Sequence, residues 1–200
     1  DCSLSSSATT YVEKTIEKFD KLDISVQCAG ICPDAKSILE TSEEEFDKVL
    51  GINFKGVWVG CKESLKGMLH DREEQPGSGG GGGGGKVRGD KNILVISSQI
   101  GLDGMAGISP YSASKFALRG LTASLSQEFG PAYGIRVNSL APGPINTPLY
   151  LSSFPNKREH EAKASLGRAG ETQEIAMSAV YLCSEAAGYV TGTTLKVDGG

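Results

Sequence analysis

Tyr111 and Lys115 stand four residues apart in a stretch where Tyr111, Lys115, Leu118 and Thr122 recur at helical spacing. A helix here puts the phenol and the ammonium on one face. A phenol with a pKa near ~10 is a poor acid and a scarce base at neutral pH, but a neighbouring cation favours the phenolate and lowers that pKa. The pair is therefore expected to yield a tyrosine tuned to give or take a proton. Ser98 lies thirteen residues before Tyr111, at the end of the apolar run Ile93-Leu94-Val95-Ile96, which reads as a buried strand. In parallel α/β sheets the crevice beyond the strands' carboxyl ends is where ligands bind, so Ser98 joins the candidates. Taken alone, the Tyr/Lys spacing also suits an ordinary helix face.

The elements that must position these side chains follow from periodicity and punctuation. Tyr11, Val12, Ile16 and Phe19 give an amphipathic helix over 9–19, followed by a strand over 24–28. Cys28-Ala29-Gly30 closes that strand, and its two small residues would let backbone approach a flat ligand. Thr41 and Ser42, followed by Glu43 to Glu45, suit a helix start, and a long helix is expected through about His70. It carries more apolar surface than one sheet-facing side needs, so a partner subunit is expected to cover the rest. Asn53 interrupts it between Gly51 and Gly56, where a kink is expected. Residues 71–92, with seven consecutive glycines from Gly79 to Gly85, cannot build a core and read as an insertion in a surface loop. A strand over 134–141 ends at Pro142-Gly143, residues 148–168 read as polar and irregular, a helix is expected over 172–184, and a last strand begins near Leu195.

Composition bounds the function classes. Two hundred residues with 38% hydrophobic content suffice for one domain with a substantial core, here taken as 1–200. The net charge of −4 is spread over mixed acidic and basic residues, which excludes a nucleic-acid footprint. No apolar run is long enough to cross a bilayer, and five cysteines without a framework spacing fit a reducing, cytoplasmic setting. Cys28 and Cys32 lack a second cluster, so no metal site is expected. His70 and His160 have no paired nucleophile or carboxylate at an informative spacing.

Four matches together resemble the short-chain dehydrogenase/reductase family, and within it proteins like the 3-oxoacyl-carrier-protein reductases. They are the Ser98, Tyr111 and Lys115 set, the Cys28-Ala29-Gly30 turn where the family usually has Asn-Ala-Gly, Asn53 in Ile-Asn-Phe-Lys-Gly-Val, and Pro142-Gly143-Pro144-Ile145-Asn146-Thr147. The resemblance covers essentially the whole chain. It implies an α/β fold, a doubly wound, mostly parallel Rossmann-like sheet, without the family's opening third: its first strand, Gly-rich turn and second strand. It implies hydride transfer between NAD or NADP and an alcohol or ketone, with Tyr111 as general acid/base and Lys115 lowering its pKa and holding the nicotinamide ribose. Ser98 would bind the substrate oxygen, and Asn53 would hold a water that completes a proton relay. Cofactor contacts are implied at Asp1, Cys28, Ala29, Gly30, Tyr111, Lys115, Pro142, Gly143, Ile145 and Thr147, a variable substrate lid over 148–168, and a homo-oligomer. Cys28 departs from the family's Asn, which supports the central strands, and this keeps open a catalytically silent binding subunit. A sugar-nucleotide epimerase or dehydratase shares the Tyr/Lys pair, but normally adds a large C-terminal substrate region.

Overall fold

The computed structural model describes residues 5–73, 91–153 and 164–200. Four parallel strands form one sheet in the order β1 (Ile24–Gln27), β2 (Asn92–Ile96), β3 (Arg136–Pro142) and β4 (Thr194–Val197). Gln27 pairs with Val95, Val95 with Ser139 and Ser139 with Thr194, so the strands' carboxyl ends finish at one rim. Parallel strands require crossovers, and helices supply them on both faces. On one face α1 (Ser5–Phe19), α3 (Val57–Glu73) and α5 (Ser109–Tyr133) bury Val12, Leu65, Met68 and Leu118 against Ile93, Val95 and Val137. On the other, Leu182 of α7 (Thr172–Cys183) packs on Leu94 and Leu140. The side chains of β2 alternate between these two cores from Ile93 to Ile96, which is why those four residues are all apolar.

The expected long helix is three pieces. A capping box at Ser42 and Glu45 starts α2 (Glu43–Leu50), a π-helical turn over Gly51–Gly56 follows, and α3 continues from Val57. The anticipated kink is thus a widened turn centred near Asn53. The ends of the expected 71–92 insertion belong to regular elements: α3 runs on through 73, and Asn92 opens β2. Lys91 is buried with its Nζ donating to the Met68 carbonyl at 2.7 Å, so it anchors the helix to the strand rather than lying in a polar loop. Residues 74–90 lie outside the described residues. Residues 148–153, expected to be irregular, form the short helix α6 (Pro148–Ser153), and 154–163 lie outside the described residues.

Buried polar side chains knit the far side of the sheet. Arg136 Nη1 donates to the Leu182 carbonyl at 2.9 Å and its Nη2 to Ser184 at 3.2 Å. Asn138 Nδ2 donates to the Val190 carbonyl at 2.9 Å, so α7 and the segment after it are fixed to β3 through backbone acceptors.

Candidate active site

Ser98 stands two residues past the end of β2 and its oxygen accepts from the Ile100 amide at 3.2 Å, at the start of α4 (Ile100–Asp103). A hydroxyl has one proton to donate, and this arrangement leaves it for the cavity. Ser97 Oγ donates to the Lys115 carbonyl at 2.9 Å, which ties the end of β2 to α5. The contact is close because residue 101 is glycine: a Cβ there would stand 2.7 Å from the Lys115 carbonyl oxygen. Lys115, Leu118 and Thr122 turn into the protein from one face of α5, as the spacing predicts.

Lys115 is buried, with its Nζ donating to the Ile96 carbonyl at 3.0 Å and standing 5.6 Å from the centroid of the Tyr111 ring. Burial pulls its pKa down to about 8, while the Cys28 and Cys32 thiols oppose that pull. The expected lowering of the Tyr111 pKa by this cation is not found. Burial pushes the phenol up to about 12, interaction with the Ser98 hydroxyl draws it back part of the way, and Cys32 adds to the rise. Desolvation is the largest effect on the phenol, and Lys115 is not among the groups that shift it.

Asn53 is buried in the π-helical turn, and its side chain makes a two-way clamp. Its Oδ1 accepts from the Ile31 amide and its Nδ2 donates to the Ile31 carbonyl, both at 2.8 Å. Nδ2 also reaches Ser114 Oγ at 3.2 Å, and Ser114 donates to the Tyr111 carbonyl at 2.7 Å. The side chain is thus engaged in fixing the loop after β1 to α5.

A cavity of about 290 Å³ opens at the carboxyl rim of the sheet, lined by Ser98, Tyr111 and Lys115. Cys28, Gly30, Pro142, Gly143, Ile145 and Thr147 line it as well. Ala29 and Asn53 are not among its lining residues, although Asn53 Oδ1 would stand 3.4 Å from a Cβ built on Gly30. Asp1 lies outside the described residues. Thr147 caps α6, its Oγ1 accepting from the Tyr150 amide at 3.2 Å. Cys32, Gln99, Met105 and Ile175 line the cavity too and carried no expectation, and Tyr150, which also lines it, falls within the expected lid 148–168. Thr147 followed by Pro148 is the usual start of a helix, and that pair could have revealed α6 and its buried Tyr150.

These residues suit the flat, hydrogen-bonding end of a nicotinamide dinucleotide. Glycines at positions 30 and 143 leave the walls low, and a Cβ at Gly143 would stand 2.5 Å from Asp198 Cβ. Among the described residues the Lys115 ammonium has a hydrogen bond only to the Ile96 carbonyl, so two of its three donors remain for ribose hydroxyls.

The family model for enoyl-(acyl carrier protein) reductases matches residues 1–200. An uncharacterized oxidoreductase of Thermotoga maritima is 36% identical over 200 residues, covering 96% of this chain and 72% of that protein. The chain belongs to the short-chain dehydrogenase/reductase family. A short-chain dehydrogenase/reductase of Aspergillus oryzae is 38% identical, over 100% of this chain and 72% of its own length. A 3-oxoacyl-[acyl-carrier-protein] reductase of Thermotoga maritima is 32% identical, over 94% and 70%. The crystal structure of a short-chain dehydrogenase/reductase (glucose/ribitol dehydrogenase) from Brucella melitensis superimposes with a TM-score of 0.85 at 31% identity. That match covers 100% of this chain and 73% of the other. This short-chain dehydrogenase/reductase is accordingly a nicotinamide-dependent oxidoreductase that moves a hydride between its cofactor and an alcohol or carbonyl compound. No described helix is long and apolar enough to cross a membrane.

Proposed function

We propose that the protein reduces a ketone at the Ser98, Tyr111 and Lys115 cluster, and oxidises the corresponding alcohol in reverse. The observation that carries this is the convergence of those three side chains in one cavity at the carboxyl rim of the sheet. The cofactor, when bound, supplies or accepts the hydride. Tyr111 donates its proton to the carbonyl oxygen as charge develops there, and the Ser98 hydroxyl holds the same oxygen in place. Lys115 binds the nicotinamide ribose and keeps a positive charge near the developing phenolate. Cys28, Gly30, Pro142, Gly143, Ile145 and Thr147 form the cofactor wall, and Asn53 positions Gly30 by holding Ile31.

Among the described lining residues Lys115 is the charged one, and Ile100, Met105, Leu149 and Tyr150 supply apolar wall. This supports a substrate that is uncharged next to its reacting carbonyl and carries an apolar arm, as a 3-oxoacyl thioester does. Cys28, Cys32, Cys61 and Cys183 are free thiols, in keeping with a reducing, cytoplasmic compartment. Exposed aromatic residues on α3 and α5 support a homo-oligomer.

The test is Tyr111→Phe, which keeps the ring and removes the proton carrier. Turnover should fall by about 10²–10⁴-fold, the usual worth of acid/base catalysis, with cofactor affinity changed little. Retention of more than about a tenth of the rate would refute the assignment.

A further inference from the structure

The turn from Pro144 to Thr147, at the cavity mouth, is fastened from behind by a segment that does not line the cavity. The Gly170 amide donates to the Pro144 carbonyl and the Asn146 amide to the Gly170 carbonyl, both at 2.9 Å, forming a parallel bridge between Ile145 and Gly170. Asn146 Nδ2 donates to Glu171 Oε1 at 2.6 Å. The fit is close: a Cβ at Gly170 would stand 2.8 Å from Ile145 Cδ1. Arg168 and Glu174 hold this strap in turn. Arg168 Nη1 and Nη2 donate to the two Glu174 oxygens at 2.8 and 2.7 Å, a bidentate fork. Nη1 also reaches the Ala169 carbonyl at 3.0 Å, and Glu174 Oε2 accepts from the Glu171 amide at 2.8 Å. Ile145 is shared between the main cavity and a recess of about 90 Å³ behind it, which Arg168 and Glu174 line.

We propose that Arg168 and Glu174 are positioning residues for the nicotinamide cofactor: their fork fixes the strap 168–171, and the strap fixes Ile145 to Thr147 at the cavity mouth. This rests on the reading that those residues hold the nicotinamide end. The pair stands clear of Ser98, Tyr111 and Lys115, so loosening it should act on cofactor binding more than on proton transfer. Its two side chains are 51% and 46% exposed, which keeps the expected effect modest.

The experiment is a double-mutant cycle with Arg168→Gln and Glu174→Gln, read by equilibrium titration of the protein with reduced cofactor, followed by nicotinamide fluorescence. Each single variant should raise the Kd about three- to fivefold, within the range of an exposed ion pair. The double variant should add little to either, because one interaction is lost in all three. Arg168→Lys should recover part of the affinity, and kcat at saturating cofactor should stay within about twofold of the parent. Thr147→Ala runs alongside as a test of the mouth itself. If Thr147→Ala weakens binding and the Gln variants do not, the strap has no positioning role and the mouth assignment stands. If none of them changes the Kd, the mouth assignment itself is wrong. A fall in kcat and melting temperature with the Kd unchanged would also overturn the proposal, since it would mark Arg168 and Glu174 as purely structural.

Discussion

At Tyr111 two environmental effects oppose each other, and the free protein shows which is larger. Burial raises the phenol to about 12 while Lys115 drops to about 8. A neutral phenol suits the donation of a proton to a carbonyl, and a protonated lysine suits the charge left behind. The sign of the pH dependence follows. Lys115 carries its charge below pH 8 or so and loses it as pH rises, so kcat/KM for carbonyl reduction should be level through neutrality and decline above about 8. Stability should respond in the opposite sense. Between the folded pKa of about 8 and the unfolded value near 10.5, the unfolded chain binds a proton that the folded one does not, so this residue makes stability rise with pH. Rate profiles and thermal melts from pH 6 to 10 check both, and a reduction rate level to pH 10 would show that the charge on Lys115 is not used.

At the scale of elements, the π-helical turn explains how a residue in the middle of a helix reaches the loop after β1. The wider turn sets Asn53 facing the Ile31 backbone, and both peptide groups of that contact are satisfied by one amide. Asn53→Ala leaves the half-buried N–H and carbonyl of Ile31 without their partner. It should cost about 1–3 kcal/mol in urea unfolding and weaken cofactor binding through Gly30. A loss below about 0.5 kcal/mol, the scatter of ordinary surface changes, would show that the clamp is replaceable. The sequence announced this turn only as a kink, through Gly51 and Gly56, because local propensity says that a helix is interrupted but not which hydrogen bonds replace the lost ones. The strands, α1, α5 and α7 were legible because period and apolar content mark them. Ser98, Tyr111 and Lys115 were legible because two of them share a helix stripe and the third ends a strand. The strap at Arg168 and the burial of Lys91 and Arg136 were not, since their partners are backbone carbonyls or carboxylates brought close by the fold. A charged residue in the sequence reads as exposed until its acceptor is known.

At the scale of the whole molecule, what stands out is apolar surface left facing water on α3 and α5. Trp58 on α3 is 44% exposed and Phe116 on α5 is 41% exposed. Each carries a cation over its ring, Lys62 at 5.4 Å and Arg119 at 5.8 Å, which shields the face without burying it. Phe46 on α2 adds a third exposed ring, and α2 and the π-helical turn both pack against α5. A helix pair of this kind buries its surplus most simply against its own copy about a two-fold axis, since both partners then present the same patch. The homo-oligomer proposed above should therefore use α3 and α5. Because Phe116 directly follows Lys115, assembly would also steady the segment that carries the proposed catalytic pair. Trp58→Glu combined with Phe116→Glu should convert the oligomer to monomer by light scattering, because burying two new carboxylates at the interface core is costly without partners. The same variant should show lower activity per subunit than its parent, with no further loss on dilution, while keeping its circular dichroism spectrum. A parent protein that is monomeric at micromolar concentration, or a double variant that stays assembled, would place the interface elsewhere or remove it.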